Sequence, residues 1–231
     1  MLRFDGITAR AGAFQLRADF AISSGALTAV IGPSGAGKST LLSVAAGFLS
    51  PERGSVRIGA DDVTGVAPGD RALSILFQDN NLFPHLDVTQ NLGLGIRPDL
   101  RLSADDRARL NDVLAYVGLA DMGARRPSEL SGGQQSRVAL ARVLLRRRPV
   151  LLLDEPFSAL GPKLRRDMLA LVTRIARDEA LTVLMVTHDP GDAQAFADDC
   201  VFVDAGRAEP PVATGALFAD PPQALSDYLG Q

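Results

Sequence analysis

The sequence contains one cysteine, no tryptophan and only two histidines in 231 residues. A lone cysteine excludes a disulfide framework within the chain. Cys200 stands in the apolar stretch 200–203, so we expect a small buried side chain and not a nucleophile or a metal ligand. His85 has no second ligand at a useful spacing, and we interpret it as a surface residue.

Long apolar runs are also missing, because no stretch reaches the roughly 18 apolar residues needed to span a bilayer. The chain begins with strand-like sequence and lacks the charged and then apolar regions of a signal peptide, so we expect a cytosolic protein.

The net charge of -3 argues against a nucleic-acid partner. The basic run 146–148 is interpreted as a solvated helix end. With 46% apolar residues, the chain can form one globular unit.

One glycine-rich segment, residues 32–39, fits the spacing G-x-x-x-x-G-K-[ST]. It follows an apolar run, 27–31, that predicts a buried strand, and it precedes a helical pattern that ends at Gly47. Such a loop can turn its backbone N–H groups toward phosphate oxygens, while Lys38 reaches the β- and γ-phosphates and the Ser39 hydroxyl binds Mg²⁺. The predicted phosphate-binding residues are Gly32, Pro33, Ser34, Gly35, Ala36, Gly37, Lys38, Ser39 and Thr40.

Around this loop the pattern alternates between strands and turns. Residues 2–31 contain two strand patterns, and apolar residues alternate with polar ones from 14 to 22, which predicts a half-exposed antiparallel strand. Further strands are predicted at 55–58 and 73–77, with a loop at 59–70 between them. The strand at 73–77 places Gln78 at its end.

Residues 79–148 show helical periodicity at 88–94, 104–117 and 135–146, which predicts a helical insertion. Ser131 is a plausible N-cap, so Gly132 and Gly133 would expose backbone donors at a second helix N-terminus. By composition alone, the same residues could be only a glycine-rich helix start.

The apolar run 150–153 predicts a strand buried in a parallel sheet, and it ends in Asp154 and Glu155. Beside a phosphate loop, Asp154 would hold Mg²⁺ through water and Glu155 would orient or deprotonate an attacking water. This pattern indicates hydrolysis of a phosphoanhydride. A helix at about 163–179 and a strand at 182–186 follow, and His188 comes just after that strand. His188 is either structural or bound to a γ-phosphate at the same sheet edge.

Together, the phosphate loop, Gln78, residues 130–134, residues 151–155 and His188 resemble the ATP-binding subunits of ABC transporters. The likeness covers essentially the whole chain, and Leu-Ser-Gly-Gly-Gln at 130–134 is specific to that family. The resemblance implies a single domain, residues 1–231, with a P-loop NTPase (RecA-like) α/β core. A mainly parallel sheet would be flanked by helices, with an N-terminal antiparallel β-subdomain and a helical subdomain inserted at about 79–148.

The resemblance also implies a head-to-tail homodimer that ATP closes and hydrolysis opens. Each ATP would lie between Lys38 of one subunit and the segment Ser131, Gly132, Gly133 and Gln134 of the other. Gln78 would contact Mg²⁺ or the attacking water, and His188 would brace the γ-phosphate. The implied partners are transmembrane permease subunits and, indirectly, an extracytoplasmic binding protein, which places the chain at the cytoplasmic face of the inner membrane.

The stretch 77–95 is similar to that of thiamine-importer ATPases, and we expect the chain to lack the C-terminal regulatory domain of many related sugar importers. Thiamine and its phosphates are therefore the expected cargo, and iron, sulfate or another small solute are alternative cargoes. A soluble ABC ATPase that works without a transporter is the alternative function.

Two positions depart from the family pattern: Gly161 replaces an aspartate, and no aromatic residue clearly matches the one that stacks on adenine. Phe14 is nearest to that position, but its alternating strand favours core packing.

Overall fold

A computed structural model of the chain describes residues 1–230. The strands are β1 (Leu2–Ala11), β2 (Phe14–Ile22), β3 (Leu27–Ile31), β4 (Arg53–Ile58), β5 (Asp61–Asp62), β6 (Leu73–Leu76), β7 (Val150–Asp154), β8 (Thr182–Val186), β9 (Asp199–Asp204), β10 (Arg207–Ala208) and β11 (Val212–Ala213). The helices are α1 (Lys38–Ala46), α2 (Val88–Gly93), α3 (Ala104–Tyr116), α4 (Gly132–Leu145), α5 (Pro162–Asp178), α6 (Pro190–Phe196), α7 (Thr214–Ala219) and α8 (Gln223–Leu229), with a 3₁₀ turn at Pro127–Glu129.

The strands form one sheet in the order β5-β4-β1-β2-β10-β9-β3-β8-β7-β6, and β11 pairs with β9. The run β9-β3-β8-β7-β6 is parallel throughout, whereas β1, β2, β4 and β5 pair in antiparallel fashion. The predicted fold class, a mainly parallel α/β core with an N-terminal antiparallel part, is confirmed.

The parallel strands bring several motifs to one edge. Every residue of β3 and β8 is buried, and β7 is buried up to its last residue, as the continuous apolar runs predict. Neighbouring parallel strands end together, since Leu76 of β6 pairs with Leu153 of β7 and Asp154 pairs with Val186 of β8. The segments that follow β3, β6, β7 and β8 therefore lie at the same edge of the sheet.

Helices alone connect β6 to β7, and no strand occurs at 79–148 within the described chain. The predicted N-cap of α4 is confirmed: the Ser131 hydroxyl accepts a bond from the Gln134 N–H, and the Gln134 side chain accepts one from the Ser131 N–H. This reciprocal cap starts α4 at Gly132, as the N-cap prediction requires. Several bounds differ slightly from the predictions: β4 begins at Arg53, β6 ends at Leu76, and the predicted loop 59–70 contains the short strand β5. Among residues 1–230, no helix has the length and apolar character needed to cross a bilayer.

Cys200 is fully buried in β9, with its Sγ 3.4 Å from the Thr214 hydroxyl. Burial raises the pKa of this thiol. The expectation of a small buried side chain is confirmed.

A buried arginine closes the C-terminal end of α1, which sequence patterns did not indicate. Arg71 is only 1% exposed, and its guanidinium donates to the carbonyls of Val44 and Ala45 at 2.9 and 2.8 Å. It also donates to Thr64 and Val66 carbonyls at 3.0 Å each. The last carbonyls of a helix lack partners within it, and here the C-cap Gly47 N–H donates to Val44 but not to Ala45. Arg71 adds charged donors to both carbonyls and so fixes the end of the helix that follows the phosphate loop.

We expect Arg71→Met to lower the free energy of unfolding by about 3 kcal/mol or more, because buried carbonyls lose charged donors. Denaturation by urea measures the change. Arg10→Met is the matched control, since Arg10 forms an exposed pair with Glu52, and such pairs contribute about 0–1 kcal/mol. Equal losses in the two variants would contradict the role assigned to Arg71.

Candidate functional site

The glycine-rich loop connects β3 directly to α1, so the N-terminal end of a helix faces the loop. Lys38 Nζ donates to the carbonyls of Gly32 and Pro33 at 2.7 and 2.8 Å, and this holds the amine over the loop. A Cβ atom at Gly32 would lie 2.0 Å from the carbonyl oxygen of Val203 in the neighbouring strand. Only glycine fits there, which explains the first glycine of the motif.

Two carboxylates lie close to the loop. The Ser39 hydroxyl donates to Asp154 Oδ1 at 3.2 Å. Burial raises the pKa of Asp154, and the nearby Glu155 charge acts in the same direction, while the Ser39 bond and Lys38 oppose the shift. Burial lowers the pKa of Lys38, and both carboxylates oppose that shift. Lys38, Ser39, Asp154 and Glu155 therefore form one electrostatically coupled group.

Glu155 has an unusual backbone conformation and a histidine partner. Its φ of 46° lies in the left-handed region, which costs a residue with a side chain about 1–2 kcal/mol. Its N–H donates to Val186 of β8 at 3.1 Å, and its Oε2 lies 2.8 Å from His188 Nδ1. A strained residue held in this way is typical of functional sites. The carboxylate remains accessible, at 27% exposure.

The histidine segment has a contact that the sequence did not indicate. The Tyr228 hydroxyl, from α8, donates to the backbone carbonyl of His188 at 2.8 Å. Burial raises the pKa of Tyr228, so the phenol stays a donor at neutral pH. Tyr228 belongs to no recognisable sequence motif, so only the fold reveals its contact with His188.

Gln78 follows β6 at the same sheet edge and is exposed. Asn80 and Asn81, two and three residues after Gln78, adopt left-handed conformations, and Arg142 of α4 donates to their carbonyls at 3.0 and 2.8 Å. The Asn80 side chain also donates to Ser136 of α4 at 3.3 Å. The loop that carries Gln78 is thus tied to α4, the helix that begins at Ser131. The role of Arg142 cannot be predicted from the sequence, because an arginine on a helix gives no local sign of its distant partner.

The predicted signature, Ser131 to Gln134, does not join the group around Lys38. A Cβ atom added to Gly132 would lie 3.5 Å from the Leu160 side chain, and one added to Gly133 would lie 3.3 Å from Leu164. The start of α4 therefore lies beside the segment 160–164. None of the hydrogen bonds found within residues 1–230 connects it to the phosphate loop of the same chain.

The two departures from the family pattern have clear structural settings. Gly161 is the N-cap of α5, with φ -63° and ψ 157°, and a Cβ atom there would have no neighbour within 4 Å. Phe14 is half-buried and packs against the core cluster of the β1–β2 region, as its alternating strand predicts. Its ring also lies under the phosphate loop, where a Cβ atom at Gly37 would come within 2.8 Å of it.

The donor set near the loop fits Mg²⁺ held jointly with a substrate. Ser39 and Asp154 supply hard oxygen atoms beside each other, and Mg²⁺ commonly uses one or two carboxylates together with substrate phosphates. Within residues 1–230, no cluster of three or more histidine, cysteine or carboxylate side chains could form a metal cage alone. The fold and this site together define the class of P-loop nucleoside triphosphatases.

The comparisons with known proteins narrow that class. The profile of the ABC transporter family matches residues 16–158, and the chain belongs to this family. The dimeric structure of the bacterial ABC transporter cassette MJ0796 aligns with a TM-score of 0.78 and 27% identity, covering 93% of this chain and 99% of that one. A second solved structure of that cassette, a dimeric post-hydrolysis state bound to ADP and Pi, is 28% identical over the same shares of the two chains, also with a TM-score of 0.78.

Two curated relatives cover nearly the whole chain. The thiamine import ATP-binding protein ThiQ of Cereibacter sphaeroides is 58% identical over 100% of both chains. The protein of the same name from Aliivibrio fischeri is 47% identical over 99% of this chain and 98% of its own.

Proposed function

We propose that this chain is the ATP-binding and ATP-hydrolysing subunit of an importer for thiamine. The observation that carries the proposal is the 58% identity, over the full length of both chains, to a thiamine import ATP-binding protein. The resemblance of stretch 77–95 to thiamine-importer ATPases agrees with it. We further infer that the chain is one ATPase domain with a helical subdomain at about residues 79–148.

We infer that two copies assemble head to tail. In this arrangement Lys38 and its loop bind the phosphates of one ATP, and the Ser131–Gln134 segment of the second copy closes over the same nucleotide. The exposed start of α4, with the Ser131 N–H paired only to its own cap, offers helix N-terminal charge to an anion. The dimeric state of the solved MJ0796 cassette supports this assembly.

The residues at the sheet edge have separate roles in the proposed hydrolysis. The phosphate loop, Gly32 to Thr40, positions the triphosphate, and Lys38 offsets its charge. Glu155 orients the attacking water and removes its proton. His188, held by Glu155 and Tyr228, hydrogen-bonds the γ-phosphate. Gln78 transmits the state of the site to α4 through the loop that Arg142 holds.

We infer that Ser39, Asp154 and Gln78 hold Mg²⁺ together with the phosphates. When bound, the ion would stabilise the charge that develops on the β- and γ-phosphate oxygens. Ser39 and Asp154 already share a hydrogen bond, so their oxygens are positioned before any ligand arrives.

The proposed partners are membrane-embedded permease subunits, which would hold the chain at the cytoplasmic face of the membrane. An extracytoplasmic binding protein would deliver thiamine to the permease. The alternatives are another small solute, such as iron or sulfate, and an ABC ATPase that works without a permease.

Purification of the tagged chain from detergent-solubilised membranes tests this proposal. We expect a permease to copurify, and we expect the ATPase activity of the recovered complex to rise with thiamine and its binding protein but not with sulfate or ferric iron. Recovery of the chain from the soluble fraction only, with or without the permease gene, would favour the ATPase without a permease.

A third expected result concerns Gly161→Asp in a Glu155→Gln background. The backbone at Gly161 suits aspartate and the space is open, so the substitution should be tolerated. As an N-cap, aspartate stabilises a helix by only a few tenths of a kcal/mol more than glycine does. A hydrogen bond between the new carboxylate and the second copy in the closed dimer would contribute about 1 kcal/mol. The ATP concentration needed for dimerisation should therefore fall about 5-fold.

Gly161→Asn is the matched control, because it caps α5 without adding charge. Size-exclusion chromatography at a series of ATP concentrations measures the concentration that dimerisation requires. An unchanged requirement in Gly161→Asp, with the fold intact by circular dichroism, would show that the carboxylate does not limit closure.

A further inference from the structure

A cavity of about 430 Å³ lies on the sheet face that the helices between β6 and β7 cover. Its apolar walls come from α3, from the C-terminal end of α4, from β7 and from the segment before β8. The residues that form them include Val113, Val143, Leu145, Leu151 and Leu181. Pockets that bind small molecules commonly have volumes of about 300–1,000 Å³ and mostly apolar linings. The cavity has both properties.

One buried hydroxyl lines this cavity. Ser74 of β6 is 3% exposed, and its Oγ has no hydrogen-bond partner among residues 1–230. Buried polar atoms in proteins nearly always have a partner, and an unpaired one costs free energy. Because the Oγ atom itself has almost no exposed surface, a change of its χ1 rotamer would bring it to a hydrogen-bonding group on a ligand in the cavity.

The more exposed part of the lining is charged. Arg109, Arg147 and Arg148 contribute three positive charges, and Asp112 and Glu179 contribute two negative charges. Arg109 is partly engaged, since it donates to the Leu145 carbonyl. Arg147 and Arg148 form no ion pair with any described residue, so they can bind an anion. The basic run 146–148, predicted to be a solvated helix end, therefore borders a cavity through Arg147 and Arg148.

The cavity is separate from the nucleotide site. Leu151 lines it, whereas Asp154 lies three residues further along β7, about 10 Å away at the rise of a strand. Its walls belong partly to the helices and partly to the sheet, so a ligand there would contact both at once. Neither the phosphate loop nor Ser131 to Gln134 lines it.

We propose that this cavity binds a small amphipathic anion. The apolar body of the ligand packs against the valine and leucine side chains, its polar atom hydrogen-bonds Ser74, and its anionic group pairs with Arg147 and Arg148. The inference goes beyond ATP hydrolysis and transport, and it does not depend on which solute is imported.

The probe for the test is 8-anilinonaphthalene-1-sulfonate, which has an apolar ring system and one sulfonate. Its uncharged counterpart, N-phenyl-1-naphthylamine, is the matched probe. Fluorescence titration of the full chain should give one saturable site for the sulfonate probe, with weaker binding of the uncharged probe. The difference between the two probes should shrink in the double variant Arg147→Ser, Arg148→Ser, and it should persist in Arg107→Ser, since Arg107 does not line the cavity.

Cavity-filling variants locate the site. Leu181→Trp and Val113→Phe enlarge half-buried lining residues, and each should abolish the saturable binding while circular dichroism stays unchanged. Two positions are used because one enlarged side chain could disturb packing. Saturable binding that survives in a folded filling variant would overturn the proposal.

Ser74→Ala distinguishes a ligand site from a site filled by water. If the hydroxyl has no partner without a ligand, the variant should melt at a higher temperature, because an unpaired polar group is removed. It should also bind the probe about 5-fold more weakly, which corresponds to the loss of one ordinary hydrogen bond. If ordered water already satisfies Ser74, the variant should melt at a lower temperature with probe affinity unchanged, and that result would count against the proposal.

Discussion

Glu155→Gln should keep ATP binding but slow ATP turnover by about 100-fold or more, the usual scale for a general base. The amide has the size of the carboxylate, and its oxygen can still accept a bond from His188 Nδ1, so the geometry of the site should persist. The glutamine amide, however, cannot take a proton from water. Because hydrolysis opens the proposed dimer, the variant should accumulate as an ATP-bound dimer.

Steady-state phosphate release measures turnover, and size-exclusion chromatography with ATP measures the dimer. Glu52→Gln is the control variant, because Glu52 is an exposed carboxylate paired with Arg10, and it should hydrolyse ATP at the wild-type rate. If Glu155→Gln hydrolyses ATP at the wild-type rate, Glu155 is not the general base.

Phe83→Asp should abolish transport while the isolated subunit keeps its ATPase activity. Phe83 is 43% exposed, whereas its neighbour Leu82 packs against the helical core cluster, so only part of the apolar stretch at 82–86 folds onto the protein itself. An exposed aromatic side chain in a defined loop suits a partner interface, where such anchors contribute about 2 kcal/mol or more. That loss corresponds to an affinity about 30-fold lower for the permease.

The loop should survive this substitution because its backbone is held independently of the Phe83 side chain. Buried Asn91 accepts from the Phe83 N–H at 2.8 Å and donates to the carbonyls of Phe83, Leu86 and Asp87 at 3.0–3.1 Å. Phe83→Leu, which keeps an apolar side chain, should retain transport. Equal loss of transport and ATPase activity in Phe83→Asp, with a lower melting temperature, would mean that Phe83 supports the fold instead.

Local patterns were sufficient for the elements that position the site. The phosphate loop, the buried run before Asp154 and the cap at Ser131 each depend on residues within a few positions of one another, so the sequence alone predicts them. Parallel strands then bring Glu155 and His188 together, because neighbouring strands end at one edge.

Contacts between distant residues could not be predicted in this way. Tyr228 is 40 residues from His188, and Arg142 is 62 residues from Asn80, so no periodicity or motif links either pair. Arg71 is a further case, because a charged residue in a polar loop is ordinarily exposed, and the fold brings it to the carbonyls at the end of α1, 26 and 27 residues away. The cavity beside Ser74 likewise forms only when the helices pack on the sheet.

Uptake of radiolabelled thiamine by cells that lack this chain tests the central claim most directly. We predict that uptake falls to background in these cells, returns with the wild-type chain, and does not return with Glu155→Gln produced at the same level. Uptake of sulfate and ferric iron should not change. Thiamine uptake that is unaffected by loss of the chain, or that Glu155→Gln restores fully, would contradict the account.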